Sequence, residues 1–251
     1  MAISHETVGT GEHKVIVLHD WLGTAEGWAA FRSYLDGEAF TYAFLDFRGY
    51  GSRKDVPGEY TLDEISADAI ELADQLGWQQ FSLVGHSMGG KAAQRVLADA
   101  PDRVVKLVGI TPVPASAYPA DERTWGLFSA AVESPEARKA IFDLTTGNRN
   151  SAVFLGKMVE HSLQSTTKEA FGGYLGAWVK TDFASEVTGN KTPVKVLYGE
   201  HDRAFSRELL DATWGRFYPN ADLEAVANAG HYPMYETPVA LATAVESFLR
   251  A

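Results

Sequence analysis

The hexapeptide GHSMGG at positions 85–90 constrains this chain more than any other stretch. An apolar run, FSLV at 81–84, precedes it, and a helix-like segment at 88–100 follows. A strand that turns sharply into a helix around G-x-S-x-G is a nucleophile elbow. The turn holds its central residue in a strained backbone conformation and leaves room only for small neighbours. Gly85 and Gly89 supply that room, so Ser87 is expected at the tip of the turn with its hydroxyl free. The helix N-terminus behind it offers unpaired N–H groups and a partial positive charge, which suit a developing oxyanion.

The remaining chain reads as a sheet able to carry such a turn. Apolar or β-branched runs at 3–8, 14–18, 40–47, 81–84, 104–110, 194–198 and 223–227 are expected strands. Helical patterns fall at 25–35, 62–76, 88–100, 207–217 and 238–249. Thr61-Leu62-Asp63-Glu64 is a capping box opening the second of these, and Gly77 closes it. Strands alternating with helices imply an α/β fold with a mostly parallel sheet, whose ligands sit beyond the carboxyl ends of the strands. From about 113 to 186 the alternation stops and several helices are expected instead. Residues 113–186 are therefore an expected helical insertion in a core formed by 1–112 and 187–251.

Composition narrows the partners. The net charge is −11 and no basic patch stands out, which argues against nucleic acid and anionic membranes. With no cysteine, neither a disulfide framework nor a thiolate zinc site is possible. No apolar run approaches the ~20 residues of a membrane span. The first residues lack a basic segment followed by an apolar one, so a cytoplasmic protein without metal or cofactor is expected.

A serine hydroxyl needs a base within hydrogen-bond reach, and that base needs an orienting acid. His231 lies between the last strand and the last helix, directly after Gly230. Asp202 follows the preceding strand, with Glu200 two residues earlier as the rival acid. The expected triad is Ser87, Asp202 and His231, in the order nucleophile, acid, base. Two N–H donors are needed for a tetrahedral oxyanion, and the backbones of Met88 and Trp21 are the candidates.

HDWLGT at 19–24, DFRGYGSR at 46–53, GHSMGG, YGEHD at 198–202 and AGHYPMYETP at 229–238 fall in order along most of the chain. This set resembles the α/β-hydrolase superfamily, in its serine-nucleophile, carboxylesterase-like branch. The resemblance implies an eight-stranded, mostly parallel sheet, with a helical lid inserted after the sixth strand. It also implies hydrolysis of a small carboxylic ester or lactone through an acyl-Ser87 intermediate. Ser87 in place of aspartate argues against the haloalkane dehalogenase and epoxide hydrolase branches. C–C bond hydrolases and cofactor-free perhydrolases share the triad, as do hormone or signal receptors with slow hydrolysis.

One residue departs from the family pattern: Asp20 stands where relatives usually carry Gly. It is expected to hydrogen-bond a neighbouring backbone amide; the alternative is a carboxylate facing the site or the substrate. The aromatic residues of the insertion suggest an apolar pocket, with Trp125, Phe128 and Trp178 as candidate substrate contacts beside Asp20.

Overall fold

A computed structural model describes residues 2–251. The strands are β1 (His5–Val8), β2 (His13–Leu18), β3 (Phe40–Leu45), β4 (Phe81–His86), β5 (Val104–Ile110), β6 (Val194–Gly199) and β7 (Ala221–Val226). The helices are α1 (Ala29–Arg32), α2 (Leu62–Gln75), α3 (Met88–Asp99), α4 (Glu122–Ala130), α5 (Pro135–Thr145) and α6 (Ala152–Ser165). They continue with α7 (Lys168–Lys180), α8 (Ala184–Val187), α9 (Arg207–Ala212), α10 (Trp214–Phe217), α11 (Pro233–Glu236) and α12 (Pro238–Arg250).

The strands form one sheet in the order β1-β3-β2-β4-β5-β6-β7. Only β1 runs antiparallel, against β3; every other pairing is parallel. The central strands β3 and β4 are buried almost throughout, as parallel strands covered on both faces must be. The expectation of eight strands is corrected to seven among the described residues. Residues 2–4, at the start of the first expected strand, lie outside the sheet. The helical insertion correspondingly follows the fifth strand of this chain, not the sixth: α4 to α8 lie between β5 and β6.

The direction of winding reverses at the sheet's centre. From β2 the chain steps outward to β3 on one side, whereas from β4 it steps to β5 on the other. With right-handed crossovers, the helices after β2 and after β4 must cover opposite faces. Accordingly α1, α11 and α12 pack together, while α2, α3 and α8 form a second group. The crevice beyond the carboxyl ends of the adjacent strands β2 and β4 is the topological switch point, where such sheets bind ligands. His19-Asp20-Trp21 leaves one of these ends and Ser87 the other.

The capping box forms by half. The Thr61 hydroxyl accepts from the Glu64 N–H at 3.1 Å. The Glu64 carboxylate accepts instead from the N–H groups of Glu59 and Tyr60, both at 3.1 Å.

Candidate active site

Ser87 adopts φ 53° and ψ −115°, the strained conformation of an elbow. The crowding explains its glycines. A Cβ on Gly85 would lie 2.3 Å from the Gly89 carbonyl oxygen, and one on Gly89 would lie 2.3 Å from that of Leu18. The Ser87 N–H donates to Ile110 O at 3.0 Å, and its carbonyl accepts from Gly90, Lys91 and Val113. The backbone is thus held on both sides while the side chain lines a cavity.

His231 and Asp202 meet at 2.7 Å between Nδ1 and Oδ2. The other carboxylate oxygen, Oδ1, accepts from the N–H groups of Ala204 at 2.8 Å and Phe205 at 3.3 Å. Glu200 takes no part: its carboxylate accepts from the N–H of Asn228 at 2.9 Å. The His231 backbone is anchored as firmly as its ring. Its carbonyl accepts from His86 Nε2 at 2.7 Å and from Thr111 Oγ1 at 3.1 Å, and its N–H donates to Thr145 O at 3.1 Å. Phe205 stacks on the imidazole at 5.3 Å between ring centres.

The loop after β2 is fixed one peptide at a time. Phe47 N–H donates to His19 Nε2 at 3.0 Å, so the ring proton sits on Nδ1, which donates to the Asp20 carbonyl at 2.7 Å. Burial lowers the pKa of His19, which agrees with a neutral ring. With that carbonyl pinned, the Trp21 N–H of the same trans peptide points to the opposite side. The next peptide is held at both ends: Tyr50 Oη donates to the Trp21 carbonyl at 2.9 Å, and Leu22 N–H donates to Asp20 Oδ2 at 3.0 Å. Among the described residues, neither the Trp21 nor the Met88 N–H has an acceptor.

Asp20 thus makes the backbone contact expected of it, but it also reaches further. Its carboxylate lies 3.4 Å from His86 Nδ1 and accepts from Tyr232 Oη at 3.3 Å. Burial alone would raise its pKa; the charge and hydrogen bond of His86, with lesser pulls from His19 and His231, hold it at about 2. Asp20 does not line the cavity that holds Ser87; it faces a smaller one behind, together with His86 and Tyr235. Because the folded value lies below the ordinary value of 3.8, this stabilisation is full above about pH 4 and is lost as pH falls towards 2. It amounts to about 2 kcal/mol. Asp20→Asn keeps the acceptor for Leu22 but loses the pairing with His86. The variant should be less stable by about that amount at pH 6, with the gap to wild type closing between pH 4 and 2. Denaturant titrations at stepped pH measure this; equal stability at pH 6 would contradict the pairing.

Ser87 and His231 open into one small cavity, with about 40 Å³ of room for water-sized groups. Its walls include Trp21, Phe128, Ile141, Trp178 and Phe205, with Tyr118 and Tyr232 as the polar-tipped rings. No Lys, Arg, Asp or Glu is among the described lining residues. Phe128 and Trp178 both line the cavity, 5.2 Å apart ring to ring. Trp125 does not line the cavity: it is half-buried, one turn before Phe128 on α4, beneath the Lys180 ammonium at 4.6 Å. The sequence reading missed Tyr118, Ile141, Thr145, Phe205 and Tyr232 as lining residues. Among the described residues, no group of three or more His, Asp or Glu side chains is placed to hold a metal ion. No helix of these residues is long and apolar enough to cross a membrane.

A doubly wound sheet with a strained serine and a carboxylate–histidine pair at its switch point defines a class of hydrolytic enzymes. Residues 15–244 match the model of the Alpha/beta hydrolase family, and the chain belongs to that family. Among its relatives is the 2-hydroxy-6-oxononadienedioate/2-hydroxy-6-oxononatrienedioate hydrolase of Burkholderia vietnamiensis, 26% identical over all of this chain and 91% of that enzyme. The pimeloyl-[acyl-carrier protein] methyl ester esterase of Serratia marcescens is 27% identical over all of this chain and 99% of that enzyme. Of solved structures, an esterase from Exiguobacterium antarcticum superposes with a TM-score of 0.87, covering 99% of this chain and 96% of its own, at 18% identity.

Proposed function

We propose that the protein is a serine hydrolase that cleaves a neutral carboxylic ester or lactone bearing an apolar part. The observation that carries this reading is that Ser87 and His231 line one apolar cavity while Asp202 bonds to His231 Nδ1 behind it. His231 Nε2 takes the Ser87 proton as Oγ attacks the ester carbonyl, and Asp202 stabilises the imidazolium that forms. The oxyanion is received by the free N–H groups of Met88 and Trp21. Collapse expels the alcohol, which takes the proton from His231, and leaves an acyl-Ser87. Water, deprotonated by His231, then attacks that acyl group and restores the serine. In this reading residues 113–186 form a lid over a core of 1–112 and 187–251, contributing Tyr118, Phe128, Ile141, Thr145 and Trp178 to the cavity.

The lack of a cationic side chain in the lining favours an ester over a C–C substrate. A dioate such as the Burkholderia relative's name specifies brings two carboxylates, and burying an unpaired carboxylate is costly. The test is a series of p-nitrophenyl esters run beside simple lactones and a 2-hydroxy-6-oxo-dienoate. Esters or lactones should turn over with kcat/KM at least about 100-fold above the dienoate, near 3 kcal/mol of transition-state preference. A faster dienoate would overturn the assignment.

A further inference from the structure

Lys91 lies one helical turn beyond Ser87 on α3 and is completely buried. The chemistry proposed above does not use it. Its Nζ donates to three main-chain carbonyls: Ser116 at 2.9 Å, Trp178 at 2.9 Å and Thr181 at 2.6 Å. An ammonium has three N–H donors, and each is taken. The acceptors come from the two ends of one insertion. Ser116 lies shortly after β5, where the chain leaves the sheet, and Trp178 and Thr181 lie in the last turn and at the C-cap of α7.

The chemistry of this contact is specific. A helix C-terminus carries unpaired carbonyls and the negative end of the helix dipole, so α7 presents a cation-binding end. Burial pulls the Lys91 pKa down to about 7, with the charge of Asp182 opposing. Only a cationic side chain on α3 would do the same: a hydroxyl or amide supplies fewer donors, and an apolar side chain none. Loss of the cation would leave the buried Trp178 carbonyl and the part-buried Ser116 and Thr181 carbonyls without this donor.

What the clasp holds is the cavity wall. Trp178 packs against Trp21 at 5.7 Å, Phe128 at 5.2 Å and Tyr118 at 5.5 Å between ring centres. Tyr118 is tied to the same helix end, its N–H donating to Val179 O at 2.9 Å. The geometry points to Lys91 as a positioning residue for specificity: by joining both ends of the insertion to the helix that begins at Ser87, it sets the distance from the nucleophile to the Trp178–Tyr118 wall. This rests on the ester-hydrolase reading. On this inference a long acyl chain covers more of that wall than an acetyl group does and is the more sensitive to its position.

The test compares wild type, Lys91→Met and Lys91→Arg on p-nitrophenyl acetate and octanoate, with hydrogen exchange of the peptide covering residues 174–183. Lys91→Met should raise KM for octanoate about tenfold with kcat little changed, and leave acetate nearly unaffected. Exchange in 174–183 should quicken about tenfold, and Lys91→Arg, which keeps the charge and donors, should restore both readouts toward wild type. Parallel losses on both esters, an unaltered chain-length profile or unaltered exchange would each overturn the inference. If Lys91→Met fails to fold, Lys91→Gln, with two donors and no charge, carries the same comparison. If wild type hydrolyses neither ester, the ester-hydrolase reading fails, while the exchange result still decides whether Lys91 holds the insertion in place.

Discussion

Alanine in place of Ser87 should lower ester turnover by a factor on the order of 10⁶ while leaving the fold intact. The size follows from mechanism: without Oγ no acyl-enzyme forms, and His231 and Asp202 lose the group they activate. The stability is unaffected because the strain at Ser87 belongs to the backbone, at φ 53°, and alanine inherits it unchanged. Glycine at 87 behaves differently. It should be equally inactive yet more stable, by ~1–3 kcal/mol, because a residue without a Cβ occupies this conformation freely. An organophosphonate should label wild type once, on the peptide carrying Ser87, and neither variant. Mass spectrometry, turnover and melting curves together decide. A Ser87→Ala enzyme retaining a hundredth of wild-type activity would assign the nucleophile elsewhere.

What the sequence makes legible here follows the range of the forces involved. Strands β2 to β6 can be read from local apolar runs, because a parallel strand buried on both faces must be largely apolar along its length; the edge strands β1 and β7 carry weaker alternating patterns. The eighth strand came from family resemblance rather than from any such run, and it is the one that fails. The elbow is legible for the same local reason: Gly85 and Gly89 are required by contacts with backbone only a few residues away, or across the adjacent strand β2. Boundaries shift where local signals are weak. The expected helix at 207–217 is broken at Thr213, whose φ −118° and ψ −85° separate α9 from α10.

Contacts between distant segments were not legible. The Asp20–Leu22 contact spans two residues and could be foreseen, whereas Tyr232 meets the same carboxylate across 212 residues. Trp125 and Phe128 are both aromatic residues on one short helix, and only packing against α7 decides that one lines the cavity and the other carries Lys180. Lys91 left a trace that passed unused. It stands among Gly89, Gly90, Ala92 and Ala93, small residues that let neighbouring segments pack close to the helix and so bury a long side chain.

Asp202→Asn should cut kcat by on the order of 10⁴, and Glu200→Gln should change it less than about threefold. Sequence spacing does not separate these two carboxylates; their hydrogen bonds do. Asp202 Oδ1 accepts from two backbone donors, the N–H groups of Ala204 and Phe205. In the asparagine variant only the amide oxygen can accept, so it must take that position. The NH₂ group is then turned to His231 Nδ1. That nitrogen has to become an acceptor, and the imidazole proton moves to Nε2, the atom that must be free to receive the serine proton. The fold has little reason to change, since the two backbone bonds survive and the side-chain volume is the same. Glu200 accepts from the Asn228 N–H in the loop after β7 and lies 3.7 Å from His201 Nε2, away from His231; the Gln carbonyl replaces the Asn228 bond. The pair of variants, compared in kcat and in melting temperature on one neutral ester, separates orientation of the histidine from support of the loop. Loss of activity with Glu200→Gln and survival with Asp202→Asn would mean that the 2.7 Å contact between Asp202 and His231 is not the one that orients the base.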